Sequence, residues 1–169
     1  TADAQSAAFI RRGYPLSVFT QAVYALAERN IPVVVHIILG LPGESRETVL
    51  RTIDYLNRLP IQGVKLQLLH VLSDSDLADL YRAGEYTPLE KEEYLTLVGD
   101  CIAHLRADIV LHRLTGDGDK NTLLAPLWSL RKRDVLNHLH RYLRENHIRQ
   151  GMSCKIDLSV IYNKPKDVL

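Results

Sequence analysis

Segments of helical character and segments of strand character alternate along this chain. Residues 15–30, 45–59 and 131–147 repeat apolar side chains at the spacing of amphipathic helices. Residues 31–39 and 64–72 are largely apolar runs, which are typical of strands buried on both faces. Because the two kinds of segment alternate, the pattern favours a parallel sheet with right-handed crossovers. We therefore expect an α/β fold.

Further segments complete the predicted elements. Residues 109–114 form a third strand, and residues 75–82 form a short helix. Residues 87–90 match a capping box, with Pro88 at the first helical position, and predict a helix that ends near Arg106. Three parallel strands with helices on their outer side form an arc, which is a partial (β/α) barrel. We expect the chemistry in the loops that follow these strands, at residues 40–45, 72–76 and 115–121.

The predicted division of the chain is an α/β body over residues 1–151 and a tail over residues 152–169. The last long helix forms a helical C-terminal extension of the body. Within the tail, residues 155–162 are either an edge strand or part of an irregular segment. The chain begins at Thr1 without an initiator methionine, which predicts that it is a processed or truncated piece.

The composition argues against several classes of function. The 169 residues are 46% hydrophobic and carry a net charge of +1, so no global charge attracts nucleic acid or anionic membranes. The longest apolar run, residues 31–42, contains His36 and Gly40 and is too short for a membrane span. Cys101 and Cys154 are too far apart for a CxxC pair, which indicates a reducing, cytoplasmic compartment.

The sharpest break in the chain is the GLPGE sequence at residues 40–44, between a buried strand and a helix. Glycine lets a ligand approach the backbone closely, and the helix that follows offers free N–H groups. The sequence therefore predicts either a ligand-binding loop or an ordinary strand-to-helix turn.

Each predicted strand carries one histidine, namely His36, His70 and His112. Three imidazoles can bind zinc, but His70 is opposite in parity to Lys65 and Gln67, the polar residues of its strand. If those two line the inner side of the arc, His70 faces the helices unless the strand ends first. We therefore predict no metal site here, and interpret the histidines as lining a pocket or as hydrogen-bonded structural residues.

Residues 115–121, TGDGDKN, resemble the start of a calcium-binding loop. The resemblance then fails, because Thr122 stands in place of the invariant glycine and Trp128 in place of the bidentate glutamate. We therefore expect no calcium. Arg113 with Asp117 is predicted to be either a site pair or a structural ion pair, since an unpaired charge inside such a sheet is costly.

Residues 35–44, VHIILGLPGE, resemble the fifth strand and following loop of radical S-adenosylmethionine (SAM) enzymes, whose pattern is roughly GxIxGxxP. Ile38 and Gly40 match this pattern, whereas His36 replaces its first glycine and Pro42 comes one residue early. The GLPGE form resembles the coproporphyrinogen-dehydrogenase and Elongator-type branches of the superfamily.

Three further motifs look like those of one bacterial family of radical SAM proteins, the YhcC-like family. They lie in residues 64–72, 112–117 and 125–128, and the resemblance covers most of residues 1–151. It implies a partial (β/α)6 barrel, with SAM and a four-iron four-sulfur (4Fe-4S) cluster at the carboxyl ends of the strands. This chain then resembles the C-terminal half of that barrel.

The resemblance also implies cofactor contacts, residue by residue. Ile38 and Gly40 match positions that contact the adenine region of SAM. Leu69, His70 and Val71 match the end of the sixth strand, whose backbone usually meets the adenine.

Arg12, or alternatively Arg11, resembles the arginine that binds the SAM carboxylate in the coproporphyrinogen branch. An arginine suits this role because its guanidinium can bind both carboxylate oxygens.

The CxxxCxxC motif that holds the cluster in the superfamily is absent, and neither cysteine can be assigned to it. The resemblance implies that the intact protein cleaves SAM reductively to a 5′-deoxyadenosyl radical, which acts on a substrate of unknown identity. We expect the 169-residue chain alone to be inactive and to hold neither cofactor. The candidates for lining the substrate side are Lys65, Gln67, His112 and Arg113.

Other functions and partners stay open at this point. One alternative is a non-catalytic α/β domain in which GLPGE and residues 115–119 hold a phosphate or a nucleotide. Another is a nucleic-acid module that uses the basic helix at residues 131–147, which could equally be a solvated face. The two exposed edges of the arc predict that two copies pair as a homodimer. No membrane partner is expected.

Overall fold

The computed structural model describes residues 1–116 and 118–156. In chain order, its helices and strands are α1 (Ala4–Phe9), α2 (Leu16–Glu28), β1 (Val34–Leu39), α3 (Arg46–Leu56), β2 (Gly63–Leu68), β3 (Val71–Leu72), α4 (Asp76–Arg82), α5 (Lys91–His104), β4 (Val110–Arg113), β5 (Leu123–Ala125) and α6 (Lys132–Glu145), with a 3₁₀ turn at Leu127–Leu130 between β5 and α6. Within the described residues, no helix is both long enough and apolar enough to cross a membrane.

The main sheet has three parallel strands in the order β1-β2-β4. Ile37 and Leu39 in β1 and Leu66 and Leu68 in β2 are buried against the helices. The helices α3 and α5 supply the other half of this core, through Val49, Ile53, Leu56, Leu95, Val98 and Ile102. The predicted α/β arc of three parallel strands with outer helices is confirmed.

A second, two-stranded sheet lies beyond the end of β2. Here β3 pairs with β5 in antiparallel orientation, around a small cluster of its own that contains Val71, Ala78, Tyr86 and Ala125. The prediction of one continuous strand over residues 64–72 is therefore wrong, because the chain leaves the parallel sheet after Leu68.

The start of α5 also differs from the prediction. Its N-cap is Glu90, whose backbone N–H donates to the Glu93 carboxylate in a capping box, so the capping box predicted at residues 87–90 is wrong. Trp128 Nε1 donates to Leu89 O over 3.2 Å, and this long-range bond occupies a carbonyl that a helix starting at Pro88 would need. The tertiary contact therefore moves the helix start by three residues.

The C-terminal extension packs on α5. Val135 and Leu139 form the buried side of α6. After α6, Ser153 N donates to Ala103 O at 2.8 Å, which attaches the following segment to the end of α5. The edge strand considered for residues 155–162 lies almost wholly outside the described residues.

Candidate functional site

The face of the main sheet opposite the helices is lined by alternate residues of β1 and β2. His36 and Ile38 are exposed, and Lys65 and Gln67 are half-buried. The parallel register pairs His36 with Lys65 and Ile38 with Gln67. We call this surface, including the neighbouring part of β4, the open face. It brings together a cation, an amide and an imidazole, which are groups that can hydrogen-bond a polar ligand.

His112 lies beside β2 on the open face. A Cβ atom at Gly63 would come within 2.6 Å of both Cδ2 and Nε2 of His112, so glycine there makes room for the imidazole. An irregularity in the register places Arg113 opposite Lys65. The structure therefore gathers all the candidate substrate-side residues on these two strands. The pairing considered for Arg113 with Asp117 cannot be assigned, because Asp117 lies outside the described residues.

The GLPGE loop has a defined backbone conformation. Gly40 and Gly43 have φ values of 90° and 77°, a region that glycine occupies without strain. A Cβ atom at Gly40 would lie only 3.1 Å from Leu89 Cδ1, and Tyr86 Oη donates to Gly40 O at 2.8 Å. Burial raises the pKa of Tyr86 to about 12, so its hydroxyl stays a donor at neutral pH. The loop is thus held against residues 86–89.

A cavity of ≈ 250 Å³ beside β1 brings together Arg12, His36 and Ile38. Arg12 Nη1 donates to Thr1 O at 2.7 Å, and Nε donates to Tyr14 O at 3.2 Å. The guanidinium also lies 5.4 Å from the centroid of the Tyr14 ring. These contacts hold the charge of Arg12 in the cavity wall, beside two side chains of the open face.

A second cavity of ≈ 510 Å³ lies between α1, the GLPGE loop and α4. It is lined by Leu69 and carries the Arg11–Asp76 ion pair at its rim, with 2.5 Å between Nη2 and Oδ2. The two side chains are 80% and 77% exposed, so solvent screens the pair and it adds little stability. The other walls are mainly apolar, formed by Phe9, Ile10, Leu41, Pro42, Leu77 and Leu80. Since Ile10 and Leu41 line both cavities, the two adjoin.

His70 and Val71 lie in the neighbourhood of the small sheet. His70 Nε2 is 3.2 Å from Ser129 Oγ, and a Cβ atom at Gly116 would come within 2.8 Å of His70 Cε1. Val71 is fully buried and pairs with Ala125. Both side chains are therefore occupied by packing, which leaves the backbone of this segment as the part that could meet a ligand.

Neither cysteine fits a ligand of an iron–sulfur cluster. Burial in α5, with a smaller effect of Asp100, raises the pKa of the Cys101 thiol to about 12, so it stays protonated at neutral pH. Cys154 Sγ accepts from Asn57 Nδ2 at 3.6 Å, near the end of α3. Over residues 1–116 and 118–156, no three histidine, cysteine, aspartate or glutamate residues are grouped to hold a metal ion.

Sequence reasoning missed the contribution of α1, α4 and Tyr86 to this site. Phe9, Leu77 and Leu80 line the second cavity, and Tyr86 holds the GLPGE loop. The i, i+3 spacing of Leu77 and Leu80 on this short helix is a signal for an apolar contact. For Tyr86, no local pattern indicates that its partner lies 46 residues away.

Comparison with known families decides what kind of domain this is. The profile of the Radical_SAM C-terminal domain family matches residues 61–145, which is just over half of the chain. The chain belongs to the Radical_SAM C-terminal domain family. The match runs from the start of β2 to the end of α6, so it contains Lys65, Gln67 and His112 but not the GLPGE loop.

Individual relatives of this Radical_SAM C-terminal domain extend the similarity further. The uncharacterized protein YtqA of Bacillus subtilis is 31% identical over 151 residues, which are 89% of this chain and 47% of YtqA. Protein YhcC of Escherichia coli K12 is 31% identical over 82% of this chain and 45% of its own length. The uncharacterized protein MJ0486 of Methanocaldococcus jannaschii is 32% identical over 84% of this chain and 44% of its own length. The chain thus spans somewhat less than half the length of these relatives.

The fold also matches a solved structure. The archaeal Methanocaldococcus infernus Elp3 with an N-terminal deletion (1–46) superimposes with a TM-score of 0.76 over 89% of this chain and 35% of the Elp3 chain. The two sequences are 16% identical, so this likeness concerns the fold alone.

Proposed function

We propose that this chain is the C-terminal half of the catalytic core of a radical SAM enzyme, and that it forms one wall of the SAM site. The observation that carries the proposal is the cavity shared by Arg12, His36 and Ile38, beside the GLPGE loop. A guanidinium suits the carboxylate of SAM, and the adjoining apolar cavity suits its adenine. SAM, when bound beside a reduced 4Fe-4S cluster, supplies a 5′-deoxyadenosyl radical that abstracts hydrogen from substrate.

The residues of this chain would bind and orient SAM. Arg12 would hold the carboxylate, since two backbone carbonyls already position its guanidinium. Ile38 and Gly40 would contact the adenine region, together with the backbone around Leu69. The thiolates for the cluster would come from outside this chain, because Cys101 and Cys154 do not fit that role. A reducing cytoplasmic compartment, which we propose as its location, suits such a cluster.

The substrate would bind on the open face. Lys65, Gln67 and His112 offer a cation, an amide and an imidazole there, and Arg113 lies in register with Lys65. These groups would bind polar substituents of the substrate and orient them next to SAM. The identity of the substrate stays open.

The intact protein of which we propose this chain is a part, called the parent below, is expected to cleave SAM, whereas the chain alone is not. Upstream of Thr1 we expect a CxxxCxxC motif about a hundred residues away, since each missing βα unit takes about thirty residues. The parent, reconstituted anaerobically with iron and sulfide and then reduced, is expected to convert SAM to 5′-deoxyadenosine, measured by mass spectrometry. The 169-residue chain treated in the same way is expected to form none. Product from the short chain, or none from a cluster-loaded parent, would overturn the proposal.

The same assay tests the role of Arg12. Losing a hydrogen-bonded charge pair costs about 1.5–3 kcal/mol, so Arg12→Gln in the parent should raise the KM for SAM by about 10- to 100-fold. The control is Arg29→Gln, an exposed arginine at the end of α2. If Arg11→Gln raises KM and Arg12→Gln does not, the carboxylate contact belongs to Arg11 and our assignment is wrong.

We also propose that the isolated chain associates through its sheet edges. Among the described residues, β1 and β4 each pair with β2 alone, so each leaves one edge without a strand. Unpaired N–H and C=O groups along such edges favour pairing with a second copy. Sedimentation equilibrium is expected to show a dimer whose population rises with concentration. A monomer at the highest soluble concentration would contradict this.

A further inference from the structure

The side of α6 that points away from the core is strongly basic. Val135 and Leu139 form the buried side of this helix. Since successive residues are rotated by about 100°, Arg133, Arg141 and Arg144 lie on the opposite side, and all three are exposed. We call this surface the basic face; it also includes Asn137, His140 and His147.

The two carboxylates of this region lie at the edge of the basic face. Asp134 borders the same groove as Arg141 and Arg144, but its carboxylate binds Lys91 of α5 at 2.9 Å and faces His138 at 3.6 Å. Glu145 lies one helical turn after Arg141. Residues 131–149 contain six arginines and lysines and two carboxylates. The rest of the chain contains fifteen arginines and lysines and eighteen carboxylates. The near-neutral net charge therefore conceals a local concentration of positive charge.

Helix stability does not account for this distribution. The N-terminus of a helix carries partial positive charge, so cations are unfavourable there and favourable near the C-terminus. Arg131 is the N-cap of α6 and Arg133 lies in its first turn, whereas Arg144 lies in the last turn. Of the three arginines of the basic face, Arg133 thus stands at the unfavourable end, where a role in binding would explain it.

We propose that the basic face of α6 binds the phosphate backbone of a nucleic acid. Guanidinium groups form paired hydrogen bonds with phosphate oxygens. The face extends about 16 Å from Arg133 to Arg144 at 1.5 Å per residue, enough for about five phosphates along one strand. Tyr142 packs against Gly99 and is not available to stack on bases. The surface therefore favours backbone contacts without base readout.

The test measures binding of the 169-residue chain to a short RNA duplex and a DNA duplex of equal length, by fluorescence anisotropy. With about four phosphate contacts, the logarithm of the association constant should fall with the logarithm of salt with a slope of about −4 between about 50 and 200 mM. The triple variant Arg133→Gln, Arg141→Gln, Arg144→Gln should reduce this slope to about −1 and weaken binding at least about tenfold. The relative affinity for the two duplexes shows which nucleic acid is preferred.

The matched control replaces three exposed arginines elsewhere, Arg29, Arg51 and Arg58, by glutamine. This control removes the same number of positive charges as the triple variant. If direct contact between the basic face and phosphate determines binding, and not the net charge, its affinity should stay within about twofold of wild type. If the triple variant fails to fold by circular dichroism, Arg141→Gln alone should reduce the slope by about 1. The proposal is overturned if wild type binds neither duplex, or if its affinity does not change with salt concentration. It is also overturned if the control weakens binding as much as the triple variant does, or if phosphatidylserine vesicles bind more tightly than either duplex.

Discussion

Replacing Arg106 by methionine is expected to lower the free energy of unfolding by about 3–5 kcal/mol, because it removes a buried charge from groups that depend on it. The Arg106 side chain is 1% exposed. Its Nη1 donates to Asn57 O at 2.8 Å, Nη2 to Ile61 O at 3.5 Å, and Nε to Asp108 at 2.9 Å. The guanidinium thereby satisfies carbonyls between the end of α3 and the start of β2.

Methionine would leave these carbonyls buried without a donor, and each unsatisfied group costs about 1–3 kcal/mol. Arg106→Lys keeps the charge but not the planar fork, so we expect a smaller loss of about 1–3 kcal/mol. Urea denaturation followed by circular dichroism measures both variants. The control is Arg58→Met, an exposed arginine close to the same turn, which should change stability by less than about 0.5 kcal/mol.

A methionine variant within about 1 kcal/mol of wild type would show that apolar packing compensates for the lost bonds, as it does in some buried ion pairs. If Arg106→Met does not fold, Arg106→Lys still tests the explanation. Its free energy of unfolding must then be lower than that of wild type but still above zero. A lysine variant as stable as wild type would show that the fork geometry is unimportant.

The order of the main elements could be predicted because it depends on local patterns. The apolar run of residues 31–39 and the helical spacing of residues 45–59 predict β1 and α3 correctly. The prediction that the first strand is buried on both faces is wrong, because His36 and Ile38 are exposed on the open face. The polar residues Lys65 and Gln67 also lie on the open face, because alternation along a strand fixes which side each residue occupies. These features need no information about distant contacts.

The elements that could not be predicted depend on partners far away in the sequence. The strand β3 exists only because β5 pairs with it, and β5 has just three residues, Leu123–Ala125. Its pairing fixes Val71 and takes His70 out of the parallel sheet, so an argument from strand parity could not place that histidine. The role of Arg106 depends likewise on carbonyls 45 to 49 residues away, and nothing near it in the sequence distinguishes it from an exposed arginine.

The second large effect is expected at Gly99, where α5 packs against Tyr142 of α6. A Cβ atom there would lie 2.8 Å from Tyr142 Cε1 and 3.1 Å from Ile148 Cδ1. Valine adds two further methyl groups to this contact, so Gly99→Val should lower the free energy of unfolding by about 1–3 kcal/mol through overpacking. Urea denaturation measures the loss, and Thr96→Val, on the exposed side of the same helix, should stay within about 0.5 kcal/mol.

A double mutant separates crowding from helix propensity. If the valine is crowded by the Tyr142 ring, Tyr142→Ala in the Gly99→Val background should restore part of the lost stability, with a coupling energy of about 1–3 kcal/mol. Additive losses in the double mutant would contradict the close contact as the cause. Because the basic face of α6 points away from this contact, Gly99→Val should lower stability while a folded sample keeps its salt-dependent affinity for nucleic acid. Loss of both together would mean that the position of α6 on α5, and not its arginines alone, determines binding.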